Sequence, residues 1–138
     1  MAHKKSWAEK MASAPTPHTS TLEKPFAGVA AGSDLFISSP MQIKAFIDKI
    51  PYGKTLEVSS MRQHFAQAAN AAATCPASSG IFLRIVAEAA WDELESGTPL
   101  NQVTPFWRII APDSPLAKKL RCGSQFIEKM REVEKENS

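Results

Sequence analysis

The sequence predicts a mainly α-helical domain that follows an irregular N-terminal arm. After residue 39, apolar residues recur at helical spacing in four segments, and a serine stands near the start of each one. The first 39 residues lack this periodicity and contain Ala14-Pro15-Thr16-Pro17, which ends any preceding helix. We therefore divide the chain into an arm over residues 1–39 and a helical domain over residues 40–138.

Length and composition fit one globular domain with its own core. The chain has 138 residues, of which 43% are hydrophobic. No apolar run follows the N-terminus or matches the length of a membrane span, so we expect a cytoplasmic protein and no membrane partner. Cys75 and Cys122 are expected to be free thiols, and with the three histidines they show no metal-ligand spacing. Neither a metal nor a cofactor is predicted.

Within the arm, two short elements are predicted. Ser6 and Glu9 have the spacing of a capping box at the start of a short helix. Leu35-Phe36-Ile37 is a short apolar run that predicts an edge strand. The arm is expected either to lie on the domain or to move freely.

The first helix of the domain has the strongest start signal. Ser39 supplies an N-cap, Pro40 suits the first helical position, and Gln42 has the spacing of a capping box. The helix is expected to end at Pro51-Tyr52-Gly53. Its apolar positions recur at helical spacing: Ile43, Phe46, Ile47 and Ile50.

Two further helices follow, separated by a short connection. Ser59 or Ser60 is predicted to cap the second helix, which ends near Asn70. Ser78 or Ser79 is predicted to cap the third. Two helices joined in this way, with a basic residue near the start of the second, are typical of a helix-turn-helix.

The remainder of the chain is predicted to hold turns and one more helix. Gly97 closes the third helix, and Thr104–Ile110 is expected to be extended or a turn. Pro112-Asp113-Ser114-Pro115 predicts a tight loop, and Ser124 is expected to cap the last helix. The apolar face of that helix comprises Phe126, Ile127, Met130 and Val133.

Positive charge is concentrated late in the chain. The net charge is only +2, which argues against a protein that coats DNA without specificity. Residues 108–131, however, carry six basic and two acidic side chains, a local excess of four. Lys118, Lys119 and Arg121 are therefore candidate phosphate contacts, although a solvated charged face is the commoner explanation of such a run.

Three motifs occur in an order that is typical of one protein family. They are Ile50-Pro51-Tyr52-Gly53-Lys54-Thr55, Arg84-Ile85-Val86-Ala87-Glu88-Ala89 and Thr104-Pro105-Phe106-Trp107-Arg108-Ile109-Ile110. The chain from residue 40 to residue 136 resembles the DNA-binding domain of the alkylguanine-DNA alkyltransferases. Gly123 and Glu134 are similar to that family's closing glycine and glutamate.

One departure from the family changes the expected activity. Phe106 stands where the alkyltransferases have the cysteine that accepts the alkyl group, and Trp107 stands where they have the histidine. Neither side chain supplies a thiolate or a general base, so no catalytic residue is predicted. The chain thus resembles the alkyltransferase-like proteins, which bind alkylated guanine without repairing it. Thr74-Cys75-Pro76 and Gly80-Ile81-Phe82 also resemble a bacterial subgroup of that superfamily with no established activity.

The resemblance implies a winged helix-turn-helix domain, a double-stranded DNA partner that includes alkylated DNA, a repair protein as a further partner, and a monomer. Arg84 would fill the stack left by an extruded base. The family's nucleotide-rotating tyrosine would fall near Val58 and its turn-bracing asparagine near Glu93, and both residues are missing from this chain. The implied DNA contacts are Arg84, Ser78, Ser79, Lys118, Lys119 and Arg121. The implied lesion pocket is formed by Pro105, Phe106, Trp107 and Arg108.

Plainer interpretations stand beside these roles. Arg84 is equally expected to be an ordinary surface arginine on an amphipathic helix. We expect one of Phe106 and Trp107 to be exposed and the other buried, and Arg108 to brace the turn through hydrogen bonds. Two other functional classes stay open: a thiol enzyme that uses Cys75, with His64 as its base, and a protein-interaction module with an apolar patch near the two aromatic residues.

Overall fold

Helices account for most of the regular structure in the computed structural model, which describes residues 5–26 and 28–138. The mainly α-helical class is therefore confirmed. The helices are α1 (Trp7–Ser13), α2 (Pro40–Asp48), α3 (Val58–Ala68), α4 (Pro76–Glu95), α5 (Pro115–Lys119) and α6 (Gly123–Glu136). The strands are β1 (His18–Thr21), β2 (Asp34–Ile37) and β3 (Ala73–Thr74).

Two of the predicted helix starts are confirmed. At α1, the Ser6 hydroxyl accepts from the Glu9 backbone N–H and the Glu9 carboxylate accepts from the Ser6 N–H, which completes the capping box. At α2, the Ser39 hydroxyl accepts from the Gln42 N–H at 3.1 Å, and Pro40 occupies the first helical turn. At both positions the capping serine and the residue it contacts lie within one helical turn, so the signal is local.

Three other starts lie before the predicted serines. Helix α3 begins after Glu57, because the Leu56 N–H donates to the Arg108 carbonyl and holds the chain extended up to that point. Helix α4 begins at Pro76, whose fixed φ favours the first helical position. Helix α6 begins at Gly123, one residue before Ser124.

The strands form one small sheet in the order β1-β2-β3. β2 pairs antiparallel with β1, where Thr19 faces Phe36, and parallel with β3, where Phe36 faces Thr74. The prediction of an edge strand at residues 35–37 is therefore wrong, since β2 lies in the middle. The two strands that pair with β2 were not predicted, because β1 is entirely polar and exposed and β3 has only two residues.

A single hydrophobic core joins α2, α3, α4, α6 and the turn that follows Pro105. Ile43 and Ile47 of α2 are completely buried, as are Met61 of α3 and Ile127 of α6. The amphipathic spacing predicted for the four main helices is confirmed by this burial. Phe36 of β2 belongs to the same core, so the proposed division at residue 39 separates elements that pack together.

The segment after α4 contains no strand. Gly97 has a φ of +99° and the Thr98 N–H donates to the Glu93 carbonyl, so this glycine ends α4 as predicted. Residues 98–138, all described, then form 3-10 turns at Leu100–Gln102 and Phe106–Arg108, followed by α5 and α6. A β-hairpin wing after α4 is thus not observed. Helix α5 was not predicted, although Ser114-Pro115 has the same N-cap and proline as the start of α2.

The described part of the arm lies on the domain, with α1 packed against α4 and α2. Over residues 5–26 and 28–138, no helix is both long and apolar enough to cross a membrane.

Candidate nucleic-acid interface

Helices α3 and α4 are the pair predicted to form the helix-turn-helix. The connection between them, residues 69–75, is longer than the three- or four-residue turn of the strict motif. Asn70 adopts a φ of 54°, and the chain then runs through β3. Pairing of β3 with β2 fixes the direction in which α4 begins.

The first turns of α4 present small and apolar side chains to solvent. Ala77 is exposed, and Ile81, one turn later on the same face, is 62% exposed. Ser78 is half-buried. Ser79, predicted as a DNA contact, is fully buried and donates its hydroxyl hydrogen to the Cys75 carbonyl at 2.7 Å. Ser79 faces the core because α4 starts three residues before it.

Arg84 continues that face of α4 and lies in an unusual environment. Its side chain is 42% exposed, and its Nε lies 3.9 Å from Glu88 Oε2, too far for a hydrogen bond. That Nε is buried and has no hydrogen-bond acceptor among the residues the structure describes. The guanidinium carbon lies 5.6 Å from the centroid of the Trp7 ring in α1. No pattern in the sequence predicts this contact between residues 7 and 84.

Arg121, another predicted phosphate contact, is already paired with carboxylates. Its Nε donates to Glu88 Oε1 at 2.9 Å, and its second terminal nitrogen donates to Asp92 Oδ1 at 2.7 Å. Burial acts to lower the pKa of Arg121, but the hydrogen bonds with Asp92 and Glu88 outweigh burial and raise it. Glu88 is itself 1% exposed. Its spacing of four residues from Arg84 is the sequence signal from which a role in charge pairing could have been predicted.

Lys118 and Lys119 lie in the last turn of α5 and are exposed. Neither forms an ion pair with another residue in the described part of the chain. Of the predicted basic contacts, these two lysines have the charges most available to a phosphate.

The aromatic pair of the third motif is entirely buried. Phe106 is 0% exposed and Trp107 is 2% exposed, and their rings meet edge to face at 5.4 Å. Phe126 stacks on Phe106 with the ring centroids 6.0 Å apart. The prediction that one of the two would be exposed is wrong, because α6 covers both. Pro105 is buried as well, so these residues do not line an open lesion pocket.

Arg108 braces the turn through hydrogen bonds, as predicted. It donates to both carboxylate oxygens of Glu134 and to the Ile50 carbonyl. Glu134 also accepts from the Trp107 indole and from the Gly53 N–H. Burial alone would raise the pKa of Glu134, but the hydrogen bonds from Arg108, Gly53 and Trp107 reverse that effect and lower it.

A cavity of about 470 Å³ lies beside this turn. It opens between the start of α3 and the residues just after Arg108. The Arg131 side chain lies at its edge and donates from Nε to the Trp107 carbonyl at 2.7 Å. Its lining includes Thr55, Leu56, Val58, Ile109, Ile110 and Ser114. Neither Phe106 nor Trp107 is part of this lining.

Neither thiol is hydrogen bonded to a base among the described residues. Cys75 is 8% exposed, and no hydrogen bond joins it to His64 in the described structure. The His64 ring packs instead against Phe46, with the ring centroids 5.4 Å apart. Burial raises the pKa of Cys122 to about 11, which keeps that thiol protonated at neutral pH. No group of three or more metal-ligating side chains occurs within the described residues.

No family model matches the chain, and neither a curated protein nor a solved structure matches it. The likeness to the alkyltransferases and their relatives therefore depends on the short sequence matches alone.

Proposed function

We propose that the chain is a non-enzymatic DNA-binding protein that presents the first turns of α4 to duplex DNA. One observation carries this proposal: Ala77, Ile81 and Arg84 share one face in the N-terminal half of a 20-residue helix. Small side chains at this end allow the helix backbone to approach a groove closely. The exposed apolar side chain of Ile81 suits contact with base edges, where thymine presents a methyl group.

Phosphate contacts come from two features. Among the described residues no side chain caps the N-terminus of α4, so its first N–H groups and the helix dipole favour an anion such as a backbone phosphate. Lys118 and Lys119 add positive charge on α5 that no carboxylate of residues 5–26 and 28–138 neutralises in an ion pair. Contacts of this kind position a protein on the duplex and make its affinity depend on salt.

Recognition of a modified base is the second part of the proposal. An extruded base would enter the cavity between Val58 and Ile110, since Phe106 and Trp107 are buried and cannot stack on it. The polar residues of its lining are Arg131, Thr55, Ser114 and Glu57. Aliphatic side chains of the lining suit an added alkyl group.

The two other functional classes have less support. A thiol enzyme needs an activated cysteine, and Cys75 is buried without a hydrogen bond to His64. An interaction module with a patch at Phe106 and Trp107 needs those rings at the surface, whereas both lie in the core. The open face of α4 therefore supports DNA binding best.

Fluorescence anisotropy with a labelled duplex tests the proposal. We expect binding whose logarithmic affinity falls linearly with the logarithm of salt concentration. Ile81→Asp should weaken binding by about tenfold, because it places a negative charge against the duplex. Leu100→Asp is the matched control, since Leu100 is 44% exposed in the turn that follows α4, and it should leave the affinity unchanged. Absence of binding at low salt, or equal losses in both variants, would contradict the proposal.

A further inference from the structure

Trp7 of the arm lies against the positive charges that the proposed interface needs. Its ring centroid is 5.6 Å from the guanidinium carbon of Arg84 and 6.0 Å from that of Arg121. The ammonium nitrogen of Lys10, in the same helix, lies 4.1 Å from the ring. An aromatic face attracts cations, so the tryptophan holds α1 to two arginine side chains.

Arg84 is poorly satisfied in this closed arrangement. Its Nε is buried without an acceptor among the described residues, although its carboxylate neighbour Glu88 lies only 3.9 Å away. A buried charged donor without an acceptor is unfavourable relative to one that is hydrogen bonded. A phosphate or a base edge at this position would supply the missing acceptor.

Helix α1 is a small part of the packed structure. It has only seven residues, none of them buried, and Ala14-Pro15 ends it. It packs against α4 and α2, where Met11 contacts the core, and a cavity of about 330 Å³ lined by Ala8 and Met11 lies along this contact. Elements with little buried apolar surface and incomplete packing open at a low free energy. Helix α1 can therefore leave while the core remains folded.

Trp7 occupies a position that a duplex in contact with Arg84 would need. Ala77, Ile81 and Arg84 recur at positions i, i+4 and i+7 of α4, so they share one face, and Trp7 covers the last of them. We propose that α1 is an autoinhibitory cover, held by Trp7 on Arg84 and Arg121, which must move aside before DNA reaches Arg84. This inference depends on the proposed DNA binding, and it adds the regulation of that same face.

Trp7→Ala in the full chain tests the cover directly. If α1 is closed in about nine of ten molecules, releasing it should tighten duplex binding by about tenfold. Ser6→Ala, which removes the capping hydroxyl but leaves the ring in place, should also tighten binding, by a smaller factor. The side-chain N–H resonance of Trp7 in NMR spectra should shift when the unlabelled duplex is added to the wild-type protein.

Further variants test whether Trp7 acts by covering Arg84. Phe26→Ala removes another exposed aromatic of the arm, in the turn between β1 and β2, and should leave the affinity unchanged. The gain from Trp7→Ala should disappear in an Arg84→Ala background, since the two side chains then no longer compete with DNA for one place. Persistence of the full gain in that background would overturn the assignment of Arg84 as the covered residue.

The outcomes also distinguish this inference from the proposed function. Wild-type binding that is unchanged or weaker in Trp7→Ala would overturn the cover and leave DNA binding intact, and weaker binding would make Trp7 itself a DNA contact. Binding detected only in Trp7→Ala would support both proposals. No binding by either protein at low salt would overturn both.

Discussion

The indole N–H of Trp107 donates to Glu134 Oε2 at 2.7 Å, and the two residues tie the motif turn to the last helix. Arg108 donates to the same carboxylate, and so does the backbone N–H of Gly53. Glu134 is 3% exposed and the Arg108 side chain is 14% exposed, so the two residues form a buried ion pair. Both carboxylate oxygens of Glu134 accept hydrogen bonds, which offsets the cost of burying the charges. The third motif thus serves as a structural brace in this chain.

Glu134→Gln should therefore destabilise the fold strongly. The variant keeps the size of the side chain but leaves the charge of Arg108 buried without its partner, which typically costs about 3 kcal/mol. Urea unfolding followed by circular dichroism would measure the loss. Glu132→Gln, at an exposed position of the same helix, should change the free energy of unfolding by less than about 0.5 kcal/mol. Similar stability of the two variants would contradict the structural role of Glu134.

The same carboxylate predicts how stability varies with pH. The folded pKa of Glu134 is lower than the value of 4.5 expected for a free glutamate. Its contribution is therefore fully present above pH 4.5 and is lost as the pH falls through the folded value. Unfolding free energies of wild type and Glu134→Gln, measured from neutral pH down to about pH 3, should converge as acid is added. A constant gap between them across that range would show that the carboxylate does not titrate as described.

Alkyl transfer from DNA to the protein is not expected. Phe106 occupies the position that needs a thiolate, Cys75 is buried, and the pKa of Cys122 is raised to about 11. Incubation with an oligonucleotide that carries alkylated guanine, followed by intact-protein mass spectrometry, should show no added mass. A stoichiometric gain that maps to either cysteine would restore the enzymatic alternative.

Arg84→Ala should reduce any preference for an alkylated duplex over a normal one. Under the proposed function the guanidinium of Arg84 takes the place of the extruded base, and unstacking that is not compensated in this way costs a few kcal/mol. Competition anisotropy with paired duplexes that differ in one guanine would give the ratio of affinities. We expect the ratio to fall toward one while normal duplex is still bound. Equal affinities in the wild-type protein would restrict the function to general DNA binding.

Reversal of charge at Lys118 and Lys119 should weaken DNA binding without changing the preference between alkylated and normal duplexes. Phosphate contacts carry no base information, so Lys118→Glu with Lys119→Glu should weaken binding to both duplexes alike and reduce the slope of affinity against salt. The matched control is Lys24→Glu with Lys49→Glu, which reverses two exposed lysines on other elements. An equal loss in the control pair would mean that only overall charge matters.

The sequence predicted those elements whose signals are local. Ser39-Pro40 and the capping box at Ser6 specify their helices without tertiary help, and the apolar periodicity identified the faces that pack in the core. The starts of α3 and α4 were misplaced because other constraints act there. For α3 the constraint is a backbone hydrogen bond from Leu56 to Arg108, between residues far apart in sequence.

The candidate site was only partly predictable for the same reason. A basic residue near the start of α4 and a bracing arginine at 108 follow from position in the chain. The burial of Phe106 under α6, the ion pairs of Arg121 and the stacking of Trp7 on Arg84 are contacts between distant segments. No periodicity or motif encodes them, so only the folded arrangement reveals them.

The pairing of β2 with β3 bears on how the chain folds during synthesis. It joins Leu35 to Ala73, and two helices lie between these partners. Helices form from local contacts within microseconds, whereas a pairing at such a separation must wait for the intervening chain to be made and closed. On the ribosome, the apolar side chains of Leu35 and Phe36 therefore emerge well before their parallel partner strand. Until residue 74 leaves the exit tunnel, β2 can pair with β1, whereas its other edge waits for β3.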